Sequence, residues 1–285
     1  MNENLYSILE DEKNINISVI NSTNSLLQTL CYDGPRDIRS MTKSIMSLLV
    51  GISISKNYIK STDTRIQDYL PNAPSSLTIR DLLLMCSGFD IDDHQLNHLI
   101  SGSTHWVDDI LKLPTEAPSF KYKGVDYHLL SAILTKATGV SALEFAEEFL
   151  FSPLEINDFK WSTDPDGYNV GSTSLKLPFD GLVKLSKLLL QNGTYLDMEI
   201  LPAEWLRLAA STQISTTLPY GNYGYGFWTS SFKNHHLYRA IGTGGQQILI
   251  IPDKDIAIVL TADPKEFNFE RSENVTNRIL RMMIE

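Results

Sequence analysis

Ser40 and Lys43 stand three residues apart in Ser40-Met41-Thr42-Lys43, and Ile45, Leu48, Leu49 and Ile52 follow at the spacing of an amphipathic helix. Residues three apart share a helix face, so one turn offers a hydroxyl and an amine. Those are the parts of a serine acyl enzyme. A serine hydroxyl attacks a carbonyl once a base takes its proton. A lysine serves as that base only as the neutral amine, the form that burial and a positive neighbouring field favour. Ser40 at the helix start would also feel unpaired amides and the positive end of the helix dipole. The periodicity predicts a helix from Ser40 with one stripe buried.

Spacing alone leaves a second reading open: Ser40 as a helix N-cap followed by a solvated lysine. Ser-x-x-Lys recurs at Ser53 to Lys56 and at Ser230 to Lys233. The pattern therefore needs support from elsewhere in the chain.

Three further segments, in order, supply it. Leu77-Thr78-Ile79-Arg80-Asp81-Leu82-Leu83-Leu84-Met85-Cys86-Ser87-Gly88-Phe89 resembles the T-I-R-D-L-L-x-x-x-S-G stretch of the penicillin-recognising serine hydrolases related to class C β-lactamases. Phe120-Lys121-Tyr122-Lys123-Gly124, then Tyr127-His128-Leu129-Leu130, is similar to that family's F-x-Y-S-N-x-x-Y-x-L-L segment. Ala240-Ile241-Gly242-Thr243-Gly244-Gly245-Gln246, with Ile248 to Pro252 and Ile256 to Thr261, resembles its glycine-rich strand and closing hairpin. The resemblance runs from about Arg39 to the C-terminal helix.

What the resemblance implies is an acylated nucleophile at Ser40, its general base at Lys43, and at Tyr122 an acid and base serving the leaving group and then water. It implies an oxyanion hole from the backbone amides of Ser40 and Thr243, and substrate contacts at Gly124, Ile241, Gly242 and Gly244. Backbone donors in a dry site stabilise developing negative charge without a particular side chain.

Two departures bear on substrate. Gly124 stands where the family's lactamases and peptidases carry an asparagine that holds the substrate's acyl amide. Ala240-Ile241-Gly242 stands where they have a cation, then Thr or Ser, then Gly; alanine cannot bind a substrate carboxylate. Both argue against β-lactams and D-alanyl-D-alanine peptides, and the family's esterase and amidase branches tolerate such changes. Lys123 or Arg239 could in principle supply a compensating charge, but each reads first as a solvated surface cation.

A chain of 285 residues, 42% hydrophobic, suffices for a substantial core. Leu5 to Asp11 reads as a short helix, and Ile15 to Ile20 with Ser25 to Tyr32 as a hairpin around Asn21 to Asn24. From Thr64 to Asn192 the pattern is mainly helical, broken at prolines and glycines. Beyond Pro219 the period becomes that of strands at Tyr225 to Ser230, Leu237 to Ile241, Gln246 to Ile251 and Ile256 to Thr261, the last two joined across Pro252 to Asp255. Phe267 to Met283 closes as a helix. The expected fold is α/β of the α+β type, β-lactamase/transpeptidase-like: an antiparallel sheet flanked by helices (residues 1–63 and 215–285) with an inserted all-helical region (64–214). Ser40 is placed on the helical side of a groove, with Gly242 on the edge strand opposite.

The formal charge of −10, with no basic cluster, argues against nucleic acid and anionic membrane partners and leaves a small-molecule amide or ester. The two cysteines, Cys31 and Cys86, sit in apolar settings and read as buried free thiols. The first residues lack the basic and apolar regions of a leader, and no apolar run approaches a membrane span, so a cytoplasmic protein is expected. Asp92-Asp93-His94 with His98 has the i, i+4 spacing of a zinc pair but no third ligand, and no metal or cofactor is expected. His128 reads as a packed histidine and His235-His236 as surface. Tyr220, Tyr223, Tyr225, Phe227 and Trp228 read equally as core or as an aromatic wall for an apolar acyl group. Two functions fit: a serine hydrolase of small amides or esters, able in principle to pass the acyl group to an amine, or an inactive relative that binds ligands or regulates.

Overall fold

The computed structural model describes residue 12 and residues 14–92, 96, 101–263, 265 and 267–284. The helix expected over Leu5 to Asp11, and Asp93, His94 and His98 of the zinc-spaced segment, lie outside them.

Strands β1 (Ile15–Ile20) and β2 (Ser25–Thr29) open the fold. Between them and the later strands come β3 (Arg36–Asp37), β4 (Lys160–Trp161) and β5 (Leu175–Leu177), which form a small sheet in the order β3-β5-β4, and a hairpin of β6 (Thr194–Tyr195) and β7 (Met198–Glu199). Strands β8 (Asn222–Tyr223), β9 (Trp228–Phe232), β10 (His235–Gly242), β11 (Gln246–Ile251) and β12 (Ile256–Ala262) complete the main antiparallel sheet, ordered β2-β1-β12-β11-β10-β9-β8. The helices are α1 (Met41–Ser55), α2 (Ile79–Leu83), α3 (Trp106–Leu111), α4 (Val125–Thr138), α5 (Ala142–Ala146), α6 (Phe179–Leu190), α7 (Ala203–Ala209) and α8 (Phe269–Ile284).

Both faces of the central strands are covered, which is why β11 and β12 read as near-continuous apolar runs. Alternate residues serve opposite layers. Leu249, Ile258 and Leu260 pack under α8 with Val275, Ile279 and Leu280, whereas Ile248, Ile250, Ala257 and Val259 join the core that holds α1 and α6. Helix α8 buries Ser272, Val275, Thr276, Ile279 and Leu280, the i, i+3, i+4, i+7, i+8 stripe of a helix lying on a sheet. Helix α6, within the stretch expected to be the helical insertion, packs on β11, β12 and β1.

Several expectations are corrected. Helix α1 is buried from Met41 to Ser53 and not along one stripe, as befits a helix apolar on nearly all sides. Strand β10 is interior to the sheet; only its last residues, Ala240 to Gly242, lack a partner on one side, because pairing with β9 stops at Arg239 opposite Trp228. The strand expected at Tyr225 begins instead at Trp228. There the Gly224 N–H donates to Phe227 O, and Gly226 takes φ +79°, closing a turn that cannot be extended backbone. Cys31 is exposed and Cys86 half-buried; both are free thiols, and burial pushes the Cys86 thiol up to about 11. Lys123 and Arg239, expected in solvent, are both buried. Among the described residues no single helix is long and apolar enough to cross a membrane.

Candidate active site

Ser40 is held by what precedes it. Strand β3 pairs with β5, and the Ile38 N–H donates to Leu175 O at 2.9 Å, fixing the approach to α1. Arg39 then adopts a left-handed φ of 54°, its N–H donating to Asp37 Oδ1 at 2.8 Å. A non-glycine residue in that region is strained, and here it turns the chain sharply into the helix. Ser40 occupies the N-cap position, yet its hydroxyl makes no capping bond. It lies 3.0 Å from Lys43 Nζ instead. The N-cap reading left open by the spacing therefore does not describe this serine.

Lys43 is 3% exposed, and its Nζ also donates to Ser172 O at 3.0 Å. The antiparallel register explains this second partner: Ser40 lies just after β3 and Ser172 just before β5, so pairing Asp37 with Lys176 brings the two serines together. Gly171 allows the run to come this close, since a Cβ there would collide with Tyr127 O on α4. Among the described residues no carboxylate pairs with Lys43. The other Ser-x-x-Lys matches resolve differently. Ser53 Oγ donates to Val50 O inside its own helix, Lys56 covers the Phe149 ring, and Ser230 sits on β9.

Tyr122 reaches the site from the loop before α4, where the Lys121 N–H donates to Met85 O at 3.1 Å. Its ring stands with its centroid 5.0 Å from Lys43 Nζ and packs on Trp228 at 5.3 Å. Behind it Tyr223 and Tyr127 are fully buried, and burial pushes both phenols well above their ordinary value. These two stay neutral and scaffold the ring.

Opposite, Gly242 ends β10 beside the nucleophile turn. A Cβ at this position would run into Ile38 O, so glycine is what lets the strand end meet the Ile38–Ser40 segment. Ile241, Gly242, Thr243 and Gly244 all line one cleft of about 290 Å³ with Ser40 and Tyr122. Gly124 does not: it is buried at the start of α4. The Met41, Thr42 and Lys43 amides donate to Ile38, Arg39 and Ser40 carbonyls, and among the described residues neither the Ser40 nor the Thr243 amide has a backbone acceptor.

The remaining wall is aromatic. Tyr220, from the turn before β8, and Trp228, at the start of β9, face Phe267, Asn268 and Phe269 at the start of α8, with Tyr220 and Phe269 edge to face at 4.7 Å. The aromatic run thus divides, because Tyr223, Tyr225 and Phe227 are core. Phe267 to Phe269 and the Ser172 carbonyl were not anticipated from sequence. Lys123 and Arg239 both have partners of their own. Arg239 pairs with Glu273, and Lys123 Nζ donates to Phe89 O at 3.1 Å and stands 3.9 Å from Asp126. His128 is packed as expected, with Nε2 3.0 Å from Asp164 Oδ2. Among the described residues no group of three or more His, Cys, Asp or Glu is arranged to hold a metal.

The chain and its fold have counterparts. An uncharacterised protein of Alkalihalophilus pseudofirmus is 23% identical, the match spanning 81% of this chain and 76% of that one. The solved structure of EstCE1, a hydrolase with promiscuous acyltransferase activity, superposes with a TM-score of 0.80 at 14% identity, over 100% of this chain and 97% of the other. The octameric penicillin-binding protein homologue from Pyrococcus abyssi gives 0.78 at 19% identity, over 99% of this chain and 76% of its own. At such identities these two structures share the fold, and hydrolases are among the proteins that carry it. The Beta-lactamase family model matches residues 33–281, nearly the whole length, and the chain belongs to that family.

Proposed function

We propose that the protein is a serine hydrolase that forms an acyl-enzyme on Ser40 and cleaves small amides or esters. The observation that carries this reading is the 3.0 Å separation of Ser40 Oγ and Lys43 Nζ at a cleft that Tyr122 also lines. In the neutral form the Lys43 amine keeps an N–H for Ser172 O and turns its lone pair to the Ser40 hydroxyl. As Ser40 Oγ bonds to the substrate carbonyl carbon, its proton passes to Lys43 Nζ. The carbonyl π electrons move to oxygen, where the Ser40 and Thr243 amides receive the charge. Collapse expels the alcohol or amine, with Tyr122 delivering its proton. Water then attacks with Tyr122 taking its proton, the tetrahedral carbon expels Ser40 Oγ, which recovers its proton from Lys43 Nζ, and the free acid leaves.

The cleft's chemistry narrows the acyl group. Its wall is largely aromatic and aliphatic, and Lys123 and Arg239 are paired with Asp126 and Glu273. An uncharged, apolar acyl group suits such a wall, whereas a carboxylate-bearing acyl group would be buried without a partner.

Intact-mass analysis after exposure to activated esters, small amides and penicillins tests the proposal. A mass increment mapped to Ser40, absent in Ser40→Ala, is expected with apolar esters. No adduct with any member of the panel, in folded protein, would overturn it.

A further inference from the structure

The aromatic wall of the cleft is assembled from three separate stretches: Tyr220 in the turn before β8, Trp228 at the start of β9, and Phe269 in the first turn of α8. One buried side chain, Arg239, stands among all three. It is 7% exposed and lies opposite Trp228 in the β9–β10 register. Its Nη2 donates to Tyr220 O at 3.4 Å, its Nη1 donates to Glu273 Oε1, and its guanidinium carbon is 5.9 Å from the centroid of the Phe269 ring. Glu273 is four residues beyond Phe269, so the two share a face of α8.

Arginine presents its N–H groups in a fixed planar fork, so one side chain can hold two acceptors in set directions. Here the fork spans the Tyr220 turn and α8, and the Tyr220 and Phe269 rings meet edge to face where it joins them. Other contacts already hold the elements themselves. Helix α8 is seated by Val275, Ile279 and Leu280 in the cluster under the sheet, and β10 is paired with β9 and β11. The Glu273 side chain is 22% exposed, so water reaches it when the arginine is removed. An ion pair open to water on one side contributes modestly to stability. What this one adds is the placing of one ring against another at the cleft.

We propose that Arg239 is a positioning residue for the acyl wall, joining Tyr220 to Phe269 through Tyr220 O and Glu273, and that it acts on the binding of an acyl chain and not on the reacting groups. The proposal rests on reading the cleft as an acyl site, and it does not need Ser40 to be acylated.

NMR titration of the full chain carrying Ser40→Ala with methyl hexanoate tests it. The ester is expected to bind, and Arg239→Met, which keeps the hydrocarbon stem, to weaken it by about fivefold, the factor for partial loss of an apolar contact. Phe269→Ala should weaken it by a similar factor. The double variant should be no weaker than either single one, because the arginine acts through the ring; an arginine with a general structural role would give factors that multiply. Should Arg239→Met fail to fold, Glu273→Met removes the other end of the same tie and should show the same loss and the same coupling to Phe269→Ala. No binding of methyl hexanoate, affinity unchanged in the folded variants, or factors that multiply would overturn the proposal. Ester binding that follows the expected pattern, in a protein whose Ser40 takes no acyl group, would overturn the hydrolase reading alone.

Discussion

Two lysines are buried near Tyr122, Lys43 against its ring and Lys123 next to it in the chain, and they keep different company. Lys43, 3% exposed, faces a hydroxyl, a backbone carbonyl and an aromatic ring. Lys123, 1% exposed, faces Phe89 O and the Asp126 carboxylate, which in turn accepts from Ser87 Oγ at 2.6 Å. Burial is nearly equal, so burial does not mark the one proposed as the base. A lysine set against a carboxylate has its charge answered locally and ties two segments together. A lysine set against a hydroxyl, with no carboxylate among the described residues beside it, has a proton-transfer partner instead.

Removing each amine in turn tests the contrast most severely. Lys43→Met keeps the hydrocarbon stem and is expected to lower kcat/KM on an activated ester by roughly 10²- to 10⁴-fold, the usual worth of a general base, with little change in unfolding free energy. Lys123→Met is expected to do the reverse. It should leave kcat/KM largely intact and cost about 3–5 kcal/mol at pH 8, because the buried Asp126 carboxylate loses its cation and keeps only the Ser87 donors. Steady-state kinetics and denaturant unfolding on both variants would settle the contrast, and greater loss of activity in folded Lys123→Met would reverse it.

The cost of Lys123→Met should also depend on pH. Burial pushes Asp126 from 3.8 up to about 7, with Lys123 opposing the rise, and burial lowers Lys123 in its turn. A carboxyl whose folded value is raised contributes stability that is complete below its unfolded value and is lost as pH climbs through the folded one. With the ammonium gone the Asp126 carboxyl is pushed higher still: at pH 5 it is protonated with or without Lys123, whereas at pH 8 the variant must either keep a proton that the unmodified protein has released or bury an unanswered carboxylate. The variant's deficit should therefore be small at pH 5 and largest at pH 8, and Asp126→Asn added to it should flatten the profile. An equal deficit at both pH values would mean that Asp126 is not the group left uncompensated.

How far this contrast could be read from sequence depends on the range of the interaction behind each part. Helix α1 with Ser40 at its start, the β1–β2 hairpin, the β11–β12 hairpin and helix α8 were legible because their periods and turn residues are local. The sheet of β3, β5 and β4 was not. Strands of two or three residues have no readable period, yet this sheet brings Ser172 O to Lys43. Nor does any residue type announce a backbone carbonyl as a partner. Phe267 and Phe269 read as the apolar start of an amphipathic helix, with nothing local to say that a cleft lies against them. Lys123 and Arg239 were assigned to solvent on residue type. The i, i+3 placement of Asp126 was a visible signal for Lys123, while Glu273, 34 residues from Arg239, was not.

The finest test leaves both lysines alone and asks whether the apolar wall, and not a charge, selects the acyl group. Phe269 is half-buried at the rim, against Tyr220. Truncating it exposes part of any acyl chain packed there, and partial loss of an apolar contact is worth about 1 kcal/mol, or roughly fivefold in KM. Phe269→Ala should therefore raise KM for hexanoyl esters by about fivefold, spare acetyl esters too short to reach the ring, and leave kcat unchanged for both, since uniform binding is lost and the proton transfer is untouched. If kcat fell equally for both esters, the ring would be supporting the reacting groups, and the division between a wall that selects and an amine that reacts would fail.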